Sequence, residues 1–111
     1  MHSTSSWWLV GLSVVTTVFA SPAAAEGIAS CELSVAGETY ISGPCDFDDI
    51  GSGDFVIRGG DYFAYIYVRE TPANGFWNGV ERSSHAHDPL GDLTRDGACW
   101  VNESARVCAS K

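Results

Sequence analysis

Beyond about residue 25 the apolar positions of this chain recur with period two, the repeat of a strand that buries one face. Cys31, Leu33 and Val35 alternate with Glu32 and Ser34, and a return row of Ile41, Gly43, Cys45 and Phe47 follows the Gly37-Glu38-Thr39 turn region. Placing Cys31 opposite Cys45 sets Leu33 against Gly43 and Val35 against Ile41. Pro44 has no amide proton to give a ladder, so this return segment reads as an edge or bulged strand. Residues 54–58, the Gly59-Gly60-Asp61 turn and residues 62–69 form a second hairpin. Its second strand is apolar on both faces, with Tyr62, Ala64, Ile66 and Val68 on one and Phe63, Tyr65 and Tyr67 on the other, as expected of a central strand. Its tyrosines suit a core boundary, and a binding platform is the other reading. Residues 71–75 read as a loop because Pro72 and Asn74-Gly75 are breakers, and residues 76–81 as a short strand with a bulge or close approach at Gly79. Residues 82–91 are irregular.

The last twenty residues give the sharpest pattern. Asp96-Gly97 predicts a two-residue hairpin turn of type I′, which pairs Arg95 with Ala98, Thr94 with Cys99 and Leu93 with Trp100. A second tight turn at Glu103-Ser104 sets Trp100 opposite Val107 and Cys99 opposite Cys108. If Asn102 and Ala105 are hydrogen-bonded, the two cysteines fall on a non-hydrogen-bonded pair, where opposed Cα atoms come closest. Leu93, Trp100 and Val107 then share a face, expected to be the core face. With no ten-residue segment of helical period, the pattern predicts an all-β fold, a small antiparallel β-barrel or sandwich of about seven to eight short strands.

Four cysteines allow three pairings. Hairpin spacing selects Cys31 with Cys45 and Cys99 with Cys108; a four-cysteine zinc site lacks the close knuckle spacing. Residues 1–25 read as a cleaved export signal, an apolar run from Trp7 to Ala20 ending in Ala23-Ala24-Ala25. The remaining 26–111 would be one disulfide-stapled domain, periplasmic or secreted, and not an integral membrane protein after signal removal. The formal charge is −8, with 6 Lys and Arg against 14 Asp and Glu. That balance argues against nucleic acid, which needs a basic face, and favours a cationic protein partner through electrostatic steering.

Few residues suggest chemistry. His85 and His87 are alternate residues of an extended stretch, so two imidazoles could share zinc or copper, with Asp61, Asp88 or Asp92 as a further ligand. Otherwise no cofactor is expected. Asp46, Asp48, Asp49 and Asp54 read as a solvated acidic turn, since the EF-hand order of ligands is missing. Ser83 and Ser84 lie near the histidines, but there is no Gly-x-Ser-x-Gly elbow and no free thiol is expected, so the chain reads as non-enzymatic. Asn102-Glu103-Ser104 matches a glycosylation sequon, read as accidental in a chain with a bacterial-type signal.

Ala36-Gly37-Glu38-Thr39-Tyr40 resembles the Ser-Gly-x-x-Tyr motif of the periplasmic and membrane-bound inhibitors of c-type lysozyme. Ala36 stands where the family has serine, and the family's second motif, Tyr-x-Thr-Lys-Gly, is absent. The resemblance implies a small exported antiparallel barrel whose partner contact includes Gly37 and Tyr40, with Glu38 between them. The expectation is therefore an exported non-enzymatic binding protein that inhibits a lysozyme-type cell-wall hydrolase through Gly37, Glu38 and Tyr40. The alternatives are a metal-binding module at His85 and His87 and a structural envelope protein.

Overall fold

Period-two alternation becomes strand through most of residues 28–111, the part of the chain that the computed structural model describes. The export-signal reading of residues 1–25 lies outside the described residues. The strands are β1 (Ile28–Val35), β2 (Glu38–Gly51), β3 (Asp54–Gly59), β4 (Tyr62–Tyr67), β5 (Ala73–Trp77), β6 (Asp88–Asp96), β7 (Cys99–Val101) and β8 (Ala105–Ser110). Each pairs antiparallel with the next, and β8 returns to pair with β1, so the sheet closes into an eight-stranded up-and-down barrel. A sandwich of the same strands would leave four edges; closure leaves none.

An eight-stranded barrel has an interior just wide enough for side chains to fill. Leu33, Ile57, Ala64, Ile66 and Val107 fill it at 0 % exposure, which leaves the interior to packing rather than to a ligand. Leu93 is buried and Trp100 packs partly buried against the same core, so the predicted row of Leu93, Trp100 and Val107 does face inward. The pairing within it differs from expectation. Asp96 pairs with Cys99 and Arg95 with Trp100, so the turn residues are Gly97-Ala98 rather than Asp96-Gly97. Gly97 has φ 64 and Ala98 is not left-handed, the requirement of a type II′ turn. Moving the turn by one residue shifts the pairing by two, an even slip that keeps every side chain on its face.

Both predicted disulfides form. Cys99 lies directly opposite Cys108 with Cα atoms 4.0 Å apart. The flanking bonds from Asn102 N–H to Ala105 C=O and from Ala109 N–H to Ala98 C=O leave the cysteines on the intervening, non-hydrogen-bonded pair. In the first hairpin Cys31 faces Gly43 instead, Cys45 faces Ala29, and Leu33 faces Ile41, so the bridge is diagonal and lies in the core. The hairpin turns at Ala36-Gly37, earlier than the expected Gly37-Glu38-Thr39 region, which shifts the pairing, and a bulge between Leu33 and Ser34, with Tyr40 as the extra residue on β2, keeps the two cysteines on one face. Pro44 lies in the part of β2 that pairs with β1 alone, β3 joining only from Asp46.

Boundaries also move. β2 runs on to Gly51, so Asp46, Asp48 and Asp49, expected in an acidic turn, lie on a strand paired with β3. β5 begins at Ala73 and ends at Trp77, so Asn74-Gly75 is strand, not loop. Glycine is required there because a Cβ would press into the Ile66 side chain and the Tyr65 carbonyl. β6 starts at Asp88, inside the stretch expected to be irregular.

Candidate functional site

The up-and-down path gathers the β1–β2, β3–β4, β5–β6 and β7–β8 connections at one end of the barrel, here the upper end. Ala36 and Gly37 form the first turn at φ 53 and 85, the two positive values of a type I′ hairpin. The Ala36 N–H donates to the Ser104 carbonyl at 2.7 Å, tying this turn to the β7–β8 turn. Gly37 and Glu38 are exposed and Tyr40 is half-buried. Tyr40 is the bulge residue, lying between the Leu33–Ile41 and Ser34–Thr39 pairs. Its ring accordingly turns onto Trp77 (centroids 4.6 Å) and Tyr62 (5.0 Å), and its hydroxyl donates to Glu38 Oε1 at 3.2 Å. Burial raises the Tyr40 pKa, and the hydrogen bond and charge of Glu38 push it the same way, so the phenol remains a donor. The three residues singled out in the sequence thus stand together: Gly37 and Glu38 at the tip, Tyr40 beneath them.

The β5–β6 connection shares this end and is organised by Asn78, a buried polar residue that sequence reasoning placed in a strand. Its Oδ1 accepts the Phe63 N–H at 3.0 Å, and its Nδ2 donates to the carbonyls of Asp61, Val80 and Ser83 at 3.0–3.2 Å. An Asn-Gly pair directly after apolar Phe76-Trp77 was the available signal for a turn here. Gly79 is a close approach, as expected, since a Cβ at this φ of 70 would collide with the Asp88 carboxylate. Arg82 binds back to Asp61, N–H to carbonyl at 2.9 Å and guanidinium to carboxylate at 3.7 Å.

This loop carries His85 and His87, both exposed, with ring centroids 5.2 Å apart and planes tilted by 44°. Ser84 Oγ lies 3.3 Å from His85 Nδ1. Among the described residues, no group of three or more His, Cys, Asp or Glu is placed to hold a metal ion. Around the upper end stand Glu38, Asp61, Glu81, Asp88 and Glu103, with the guanidinium groups of Arg82 and Arg58 beside Asp61.

The remaining candidates are structural. Asp54, expected in a solvated turn, is buried at 3 % exposure where β3 begins. It accepts the backbone N–H groups of Val68 and Arg69 and pairs with Arg69 Nε at 3.0 Å. Burial alone would raise its pKa, but the Arg69 and Val68 donors and the Arg69 charge outweigh it and hold the carboxyl below its ordinary 3.8. Asn102 Nδ2 donates to the carbonyls of Leu90 and Asp92, both at 2.8 Å. Its two protons are therefore in use, and a glycan on that nitrogen would break the latch.

On the barrel wall, the outward rings of β4 and β5 form a groove of about 390 Å³ with the β5–β6 loop as its rim. Phe63, Tyr65, Tyr67 and Phe76 line it beside Arg58 and His85. The alternation of β4 announced these outward rings; what covers one side of them was not legible.

Fold and site together define a small disulfide-bearing up-and-down β-barrel with a packed interior, an acidic loop end and an aromatic wall. No protein-family model matches the chain, and no curated protein or solved structure matches it.

Proposed function

We propose that this protein is an exported, non-enzymatic binding protein whose upper barrel end docks a cationic protein, a lysozyme-type cell-wall hydrolase being the specific partner. The observation that carries the reading is the first hairpin. From Asp46, the β2 residue at which pairing with β3 ends, eight further residues of β2 lead to the turn. This extension brings exposed Gly37 and Glu38 to the end that also carries Asp61, Glu81, Asp88 and Glu103. A two-residue turn stapled by Cys31–Cys45 and braced by Tyr40 on Trp77 is a rigid probe, and rigidity reduces the ordering cost of binding. Carboxylates around the tip steer a basic partner and orient it. The two disulfides are compatible with an exported protein.

The test is turbidity clearance of a cell-wall suspension by c-type lysozyme with increasing amounts of purified protein. Clearance should slow saturably, and the Glu38→Ala variant should slow it less, with the difference shrinking as salt is raised. Undiminished clearance at large molar excess would dispose of the lysozyme reading. A second reading, favoured by the 5.2 Å approach of the His85 and His87 rings, is zinc or copper capture at the β5–β6 loop. Equal metal binding by the native protein and the His85→Ala, His87→Ala double variant would eliminate it.

A further inference from the structure

We propose that the outer wall of β3–β5, with the β5–β6 loop as its rim, binds a neutral oligosaccharide chain of pyranose rings. The proposal does not rest on the partner contact at the upper end.

It begins with positions that the barrel does not need. Ala64 and Ile66 fill the interior from β4, so the outward Phe63, Tyr65 and Tyr67 contribute nothing to that core. The solvent face of an antiparallel sheet ordinarily alternates to polar residues. Here four rings run across it in sequence, Phe63 to Tyr65 at 6.0 Å, Tyr65 to Tyr67 at 6.3 Å and Tyr67 to Phe76 at 6.3 Å. The Tyr65 and Tyr67 planes lie within 22° of parallel, and Phe76 is an exposed large apolar residue. Tyr67 and Phe76 also separate two hollows, of about 390 and 540 Å³. The first is rimmed by Ser84 and His85, the second by Glu70, Asn74 and Asp92.

Charge selects the occupant. Arg58, the one permanent cation in the first hollow, is already paired with Asp48 at 3.1 Å and lies 5.9 Å from the Phe63 ring centroid. That hollow therefore presents no unpaired permanent charge to attract a charged group, and the chain's charge of −8 repels a polyanion. A pyranose chain matches what remains. Its C–H faces rest on aromatic rings, and its hydroxyls both donate and accept. The Tyr65 and Tyr67 hydroxyls, Ser84 and His85 answer on one side, and Asn74 and Asp92 on the other. Burial, with Tyr65, Asp54 and Glu70 nearby, raises the Tyr67 pKa and keeps its hydroxyl a donor. Asn74 is oriented by its 2.6 Å bond to Glu70, as a positioned recognition group should be. An extended peptide is the poorer match, because β4 is hydrogen-bonded on both sides and offers no free ladder to augment.

The experiment titrates the purified protein with chitotetraose, cellotetraose and maltotetraose, followed by calorimetry and NMR. At least one should bind saturably, shifting resonances of residues 63–67 and 74–76. Phe76→Ala and Tyr67→Ala should each weaken it about tenfold, and Tyr67→Phe, which removes only a hydroxyl, about threefold. Glu38→Ala should leave it unchanged while weakening the upper-end contact, which separates the two sites. Retained near-ultraviolet dichroism certifies that each variant is folded. Absence of saturation with all three sugars well above about 1 mM would overturn the proposal, as would equal affinity in a folded Phe76→Ala variant.

Discussion

In the β1–β2 hairpin the Cys31–Cys45 bridge crosses the pairing diagonally inside the barrel, whereas in β7–β8 the Cys99–Cys108 bridge joins directly opposed residues on the outer side. The inner bridge packs with Leu33 and Ile41. The outer one lies near Glu32 and Arg106, with Cys108 Sγ 3.9 Å from Glu32 Oε1. In sequence the two looked alike, a cysteine on each arm of a short hairpin. What separates them is the early turn at Ala36-Gly37, which offsets the β1–β2 pairing, and the bulge at Leu33/Ser34, which turns Tyr40 toward Trp77. Bulges re-aim side chains, and this one falls in the hairpin that carries the candidate partner contact. The β7–β8 hairpin, regular through its length, is scaffold: it closes the barrel against β1 and anchors Ala36 through Ser104.

The contrast has measurable consequences, of which the largest concerns the staples. By chain entropy alone the two bridges are near equals, at about 3 kcal/mol each, because the sequence separations of 14 and 9 differ little on a logarithmic scale. Burial at both ends breaks the tie, because Cys31 and Cys45 are both buried whereas of the outer pair only Cys99 is. Replacing Cys31 and Cys45 by serine also puts two hydroxyls into the core, so urea unfolding should show a loss of about 4–5 kcal/mol, against about 2–3 for the Cys99, Cys108 pair. Mild reductant followed by alkylation and mass mapping should open the outer bridge first, since Cys108 is only half-buried. Equal losses and simultaneous opening would remove the distinction.

Next in size is the packing beneath each hairpin. Leu33→Ala should destabilise by about 3–4 kcal/mol and Val107→Ala by about 2, both positions being fully buried neighbours across β1 and β8. The turns come third. Asn102→Ala removes the acceptor for the Ser104 and Ala105 N–H groups and the donors to Leu90 and Asp92, and should cost about 1–2 kcal/mol. Gly37→Ala forces a side chain to φ 85 and should cost about 1 kcal/mol, with lysozyme inhibition as a second readout.

Acidification isolates a contribution outside both hairpins, where β3 begins and β4 ends. The Asp54 carboxyl has its pKa lowered in the folded state, so the stability it confers is present above the ordinary 3.8 and lost as pH falls through the lower folded value. Thermal melts from pH 7 to 2 should show Asp54→Asn less stable at neutrality and the gap closing below about pH 4. The smallest effect is at Tyr40→Phe, which removes the bond to Glu38 and leaves the ring on Trp77. Stability should hardly change, and any loss of partner binding would then belong to the freed Glu38.

Physical reasons separate what was legible from what was not. The two pairings of cysteines followed from hairpin spacing. Strand identity and the inward row of Leu93, Trp100 and Val107 followed from alternation, because between bulges a side chain's face depends only on whether its number is odd or even. That is why a turn displaced from Asp96-Gly97 to Gly97-Ala98 left the row intact. Gly37, Glu38 and Tyr40 were singled out by a short resemblance, yet their grouping with the His85 loop at one end needed the direction of every strand. Asn78 and Asp54 escaped notice because burial of a polar side chain depends on backbone groups from distant turns: Phe63 and Asp61 for one, Val68 and Arg69 for the other.

The sequence by itself determined an all-β chain with two hairpin disulfides and an acidic surface, since these rest on local period, spacing and charge. Only the tertiary structure decided closure of β8 onto β1, the diagonal course of Cys31–Cys45, and the aromatic wall beneath the β5–β6 loop. Those depend on hydrogen bonds between residues as far apart as Ser30 and Ser110, and no local pattern encodes a partner at that distance.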